Sequence, residues 1–140
     1  MSYVECLEAL SDDAEEAVDR LEDHASHRFI ERLCSEAAQH LESRMFDRAY
    51  VAFTVSLGLM YRWEASEALD TRPDILERAL ERTFSTFRFA QAGYAMADLM
   101  IARRYGCDVS RDEITRHIGM LSGEQRDRAL SWIALTARKL

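Results

Sequence analysis

Apolar side chains recur at three- and four-residue steps along most of this chain. Val18, Leu21 and Ala25, then Phe29, Leu33, Ala37 and Leu41, form one such series, as in a helix with one face in a core. Ser11 fits the N-cap position for it, with Asp12, Asp13, Glu15 and Glu16 in the turns that follow. A hydroxyl cap and acids at the positive end both favour a helix start there. The expected helix runs from Ser11 to about Glu42, kinked near Ala25-Ser26, with a short N-terminal helix over residues 3–10 before it. A second helix is expected from Phe46 to Ala68. Tyr50, Val51, Phe53, Val55, Leu57, Leu59 and Met60 make its middle apolar nearly all round, which predicts a central position.

Asp70-Thr71-Arg72-Pro73 then interrupts the pattern. Thr71 can cap, and Pro73 suits a first helical turn. The third helix carries Ile75, Leu76, Ala79, Leu80, Phe84 and Phe87. It either continues or bends near Ser85-Thr86 into Phe89–Tyr105. Ala90, Gly93 and Ala97 form a stripe of small residues there, open to close approach by another helix. Gly106 is the expected C-cap. Ser110-Arg111-Asp112-Glu113 reads as a capping box for a short helix to about Met120. Ser122-Gly123-Glu124-Gln125 opens a last helix with Leu130, Trp132, Ile133 and Ala137. No strand-like alternation appears. The predicted fold is all-α: one single-domain bundle of five or six helices over residues 1–140, with a central apolar helix.

Composition narrows the class. At 140 residues and 48% hydrophobic, one domain can bury a core without metal or disulfide staples. Cys6, Cys34 and Cys107 are odd in number and widely spaced, so neither a disulfide framework nor a zinc ribbon is expected. The N-terminal stretch lacks a basic region followed by an apolar run, so no export signal is expected and the cytoplasm is the expected compartment. Ala49–Tyr61 is too short to span a bilayer, and no membrane contact is expected.

Charge is distributed unevenly. Residues 1–23 hold nine acids and one base, Arg20, within a chain of net charge −7. Residues 103–140 hold eight bases against five acids. The bland account is an acid-rich helix start plus a solvated face. The functional account is an acidic docking surface, Asp12, Asp13, Glu15, Glu16, Asp19 and Asp23, for a protein with a basic surface or for the basic end of a second copy. The same balance argues against general nucleic-acid binding.

Candidate chemistry is sparse. His27 with Glu31, Glu36 with His40, and Glu113 with His117 stand four residues apart, and Asp19, Asp23, His27 and Glu31 share one face of the expected helix. Ordinary solvated pairs account for these. A di-iron site needs Glu-x-x-His motifs that are missing, so no metal or other cofactor is expected. Cys34 reads as core. Cys107 lies beside Asp108, which opposes thiolate formation. The series Phe84, Phe87, Phe89 and Tyr94 reads as core before pocket. Arg111-Asp112-Glu113-Ile114-Thr115-Arg116-His117 resembles the Arg-x4-6-His motif of HEPN-type ribonucleases, small helical proteins that dimerise. The resemblance implies metal-independent RNA cleavage, with His117 handling the proton of a 2′-hydroxyl and Arg111 stabilising the phosphorane. It covers seven residues, and Arg20 with His27 fits the same spacing. A helix-turn-helix reading of Ser110–Lys139 gives a further alternative, a small nucleic-acid-binding regulator. The leading expectation is a non-enzymatic protein-binding protein: an inhibitor, immunity-type protein or adaptor.

Overall fold

The computed structural model describes residues 2–67 and 73–107, with side-chain surroundings over 2–62 and 86–107. Among the described residues the fold is all-helical and contains no strand. Helix α1 spans Tyr3–Leu21, α2 His27–Glu42, α3 Phe46–Glu67 and α4 Pro73–Arg104, with a 3-10 turn at Glu22–His24 between α1 and α2. The helices expected at 110–120 and after 122, with Arg111 and His117, lie outside the described residues.

Two boundaries differ from expectation. The cap of α1 is Ser2, whose Oγ accepts the Glu5 N–H at 3.2 Å. Ser11 sits in mid-helix, its Oγ 3.3 Å from the Tyr50 hydroxyl. A serine followed by acids has the form of a helix start. Here Cys6, Leu7, Leu10 and Ala14 carry the packing stripe straight through it, so the short helix 3–10 and the start at Ser11 merge into one element. The break falls instead at residues 22–26. Ala25 is extended, and Ser26 caps α2 by accepting the Phe29 N–H at 3.1 Å. The kink expected near Ala25-Ser26 is therefore a complete separation of two helices. Helix α4 runs without interruption through Ser85-Thr86, so the two segments are one element.

Two helix ends close with the same backbone motif. After α4, the Cys107 N–H donates to Ala102 O at 3.0 Å and the Gly106 N–H to Arg103 O at 3.0 Å. Gly106 takes φ 79°, the left-handed value this motif requires. After α2, the Met45 N–H donates to His40 O and the Arg44 N–H to Leu41 O. There the left-handed position is Arg44, at φ 61°. A side chain in that region costs about 1–2 kcal/mol, partly offset on exchange to glycine by the greater freedom of the unfolded chain. Arg44→Gly is expected to raise stability by about 0.5–1 kcal/mol. Thermal melts check this; a lowered Tm means the arginine's own contacts outweigh the strain.

Helix α3 packs against α1, α2 and α4. Its Tyr50, Phe53, Val55, Leu59 and Met60 are buried. The small-residue stripe of α4 does what its spacing predicts. Ala90 and Ala97 are fully buried, and a Cβ on Gly93 would overlap the Phe53 ring. Phe53 meets Phe89 edge-on at 6.2 Å, and Tyr61 meets Phe87 at 5.5 Å. The aromatic series on α4 is thus packing material against α3 wherever it is described.

Candidate functional site

Placing the cap at Ser2 changes the meaning of the acids on α1. Asp12, Asp13, Glu15 and Glu16 are no longer first-turn residues; they lie in the third and fourth turns, beyond the reach of the positive helix end. All six acids of the expected docking surface, Asp12, Asp13, Glu15, Glu16, Asp19 and Asp23, are exposed. At about 100° per residue, Glu8, Asp12, Glu15, Glu16 and Asp19 cluster on the side of α1 turned away from Leu7, Ala14 and Val18. Asp13 points elsewhere, into a shallow groove, and Asp23 belongs to the 3-10 turn. The surface is therefore a stripe with two flanking acids.

Only part of the stripe is neutralised. Arg62 of α3 reaches Asp19 at 2.8 Å and Glu22 at 2.7 Å. These partners hold its guanidinium pKa above the usual arginine value, the Asp19 hydrogen bond foremost. Asp19 is thus a clamp between α1 and α3 as well as a surface charge. Among the described residues, Asp12, Asp13, Glu15, Glu16 and Asp23 have no ion-pair partner. The groove that Asp13 enters has a volume of about 400 Å³ and lies between α1, α2 and α3, with Leu10, Ala17, Leu21, Leu33, Val51 and Val55 in its lining.

The proposed histidine–carboxylate line does not form. Asp19 is on α1 and bound to Arg62, whereas His27 is on α2 with Nε2 2.6 Å from Glu31 Oε1. Among the described residues no three His, Cys, Asp or Glu side chains gather as a metal site would need, and no helix is long and apolar enough to cross a membrane.

A polar cluster inside the bundle escapes sequence reasoning. Tyr3 on α1 donates its hydroxyl to Asp98 on α4. The Tyr50 and Tyr94 hydroxyls lie 3.3 Å apart, with Ser11 at 3.3 Å from Tyr50. The Tyr50 and Tyr94 rings meet at a 35° tilt, their centroids 5.0 Å apart. These groups tie α1, α3 and α4 together, and Tyr94 to Asp98 is the only spacing that hints at it. Burial raises the Tyr3 and Tyr94 pKa values above the ordinary 10, helped by the hydrogen bonds to Asp98 and Tyr50 respectively. Their stabilising effect is complete below about pH 10, where the unfolded phenols are also protonated, and is lost as pH rises beyond it. Tm should fall steeply above about pH 10, and Tyr3→Phe with Tyr94→Phe should flatten that fall. An equal fall in the double variant assigns it to other groups.

No family model, curated protein or solved structure matches the chain, so function is read from its residues alone.

Proposed function

We propose that this chain is a protein-binding protein, of the inhibitor, immunity-type or adaptor kind, that meets a basic surface through the outer stripe of α1. One observation carries the reading: a run of carboxylates in mid-helix, away from the end that would favour them and mostly without cations. Like charges three and four residues apart repel by about 0.2–0.5 kcal/mol each in an isolated helix. Glu8, Asp12, Glu15, Glu16 and Asp19 form several such pairs, and nothing in the described fold offsets those outside the Arg62 clamp. A basic partner would. The groove lined in part by Asp13 offers the partner's apolar side chains a place beside the charges.

The partner is a basic protein surface, or the Arg103–Lys139 end of a second copy. The proposal carries with it a single bundle of five or six helices around α3, and cytoplasmic residence. It is tested by capturing partners on the purified chain, with and without the carboxylates, and comparing what is retained. A partner held equally by both overturns it. Arg111→Ala and His117→Ala are expected to leave the cellular function intact. Loss of function in both folded variants, with RNA cleavage by the pure protein in the absence of metal, would replace it with the ribonuclease reading.

A further inference from the structure

Helices α1 and α2 both pack along α3 but make little contact with each other. The groove between them therefore has α3 for its floor, with Arg48, Val51, Ala52 and Val55 along it. From Arg48 to Val55 that floor is about 10 Å long, at the helical rise per residue. Only Ser43, Arg44 and Met45 join α2 to α3, so the two run antiparallel. His40 accordingly lines the Arg48 end and Leu33 the Val55 end. Helix α1 runs in the same direction as α3. Its Ser11 hydroxyl meets Tyr50, its Val18 packs where Gly58 lacks a side chain, and its Asp19 meets Arg62. In that register Asp13 stands level with Ala52, at the middle of the floor.

The charges along the groove are not all satisfied. Asp47 is held by Arg104 at 2.7 Å. Asp13 and Arg48 are exposed, and among the described residues neither has an ion-pair partner. The groove thus presents a free acid at its centre, a free base at one end and aliphatic side chains at the other. Its size narrows what it can hold. A helix about 10 Å wide fills about 800 Å³ over a 10 Å length. The groove's 400 Å³ is about half of that, which is room for one face of a helix and not for its backbone.

We infer that this groove receives an amphipathic helix of the partner protein. The inference rests on the reading of the chain as a protein-binding protein. The incoming helix lays aliphatic residues at i, i+3 or i+4, and i+7 over Val51, Ala52 and Val55. A Lys or Arg beside the central one meets Asp13, and an Asp or Glu beside a terminal one meets Arg48. The aliphatic ridge supplies affinity, and the two charges select the helix and fix which way round it lies. Because the base is central and the acid terminal, a helix with the two exchanged has no orientation that satisfies both.

The test uses the full chain, its methyl groups followed by NMR, and two synthetic helical peptides about 20 residues long. Both carry leucines at i, i+4 and i+7. One has Lys beside the central leucine and Glu beside a terminal one; the other has them exchanged. The first is expected to shift the Leu33, Val51 and Val55 methyl signals and to bind about tenfold tighter than the second. Asp13→Lys combined with Arg48→Glu should reverse that order. Ala52→Leu, which fills the floor, should abolish binding of both peptides with Tm unchanged or raised. Asp12→Asn, Glu15→Gln and Glu16→Gln together should leave peptide binding as it is, so the groove can fail while the stripe still holds its partner, and the reverse. No binding, binding that leaves those methyls unmoved, equal affinities, or an order kept by the charge-reversed chain overturns the inference. So does self-association that places a second copy in the groove.

Discussion

Gly93→Ala is expected to destabilise the protein by about 1–3 kcal/mol, although it adds a single methyl group. In an exposed helix the same exchange would stabilise by roughly 1 kcal/mol, because alanine is the better helix former. The reversal comes from Phe53. Its ring occupies the space a Cβ on Gly93 would enter, and Phe53 is fully buried between α3 and α4 with Phe89 against its edge. The ring has little room to retreat, so the two helices must separate or Phe53 must leave its rotamer. A companion variant tests this cause. Phe53→Leu alone should cost stability through the space it opens. Combined with Gly93→Ala, the added methyl fills part of that space, and the double variant should be more stable than the sum of the two losses implies. Chemical denaturation of the four proteins gives the coupling. Simple additivity would mean that Gly93 acts through backbone conformation and that the Phe53 contact is incidental.

This contact shows where the sequence was readable. Ala90, Gly93 and Ala97 recur at helical spacing within one segment, so a stripe for close approach could be seen without knowing its partner. Cys34, Ala37 and Leu41 were equally legible as core, because one helix face needs only local periodicity. Ser11 misled for the same reason. Its local form is that of a cap, and only contacts upstream (Ser2 with Glu5, Tyr3 with Asp98) show that the helix has already begun. The site residues divide the same way. The acids were visible as a charge run, but their distance from the positive helix end required the true helix start. The Arg62 clamp on Asp19 and Glu22, and the Arg104 contact to Cys6, join residues about 40 to 100 positions apart. No short motif encodes them, since they depend on how α3 and α4 lie against α1.

Neutralising the unpaired acids is expected to move stability and binding in opposite directions. The variant carries Asp12→Asn, Asp13→Asn, Glu15→Gln, Glu16→Gln and Asp23→Asn. Asp19 is kept because it anchors Arg62. Removing the like-charge pairs along α1 should stabilise the isolated protein by roughly 1 kcal/mol at low salt, and less as salt screens the repulsion. Asn and Gln cost little helix propensity by comparison. Association with the captured partner should slow by about tenfold or more and lose most of its salt dependence, because charges of this kind act chiefly on the rate of encounter. Dissociation should change less. The opposed signs separate the two accounts of the stripe. A solvated helix face predicts a stabilised protein with binding unaltered, since nothing is lost when its repulsion is relieved. A docking surface predicts the same stabilisation together with a slower encounter. A variant that gains Tm yet meets its partner at the parent rate, with the parent's salt slope, moves the binding surface off α1. A variant that loses Tm instead overturns the premise that these carboxylates are uncompensated.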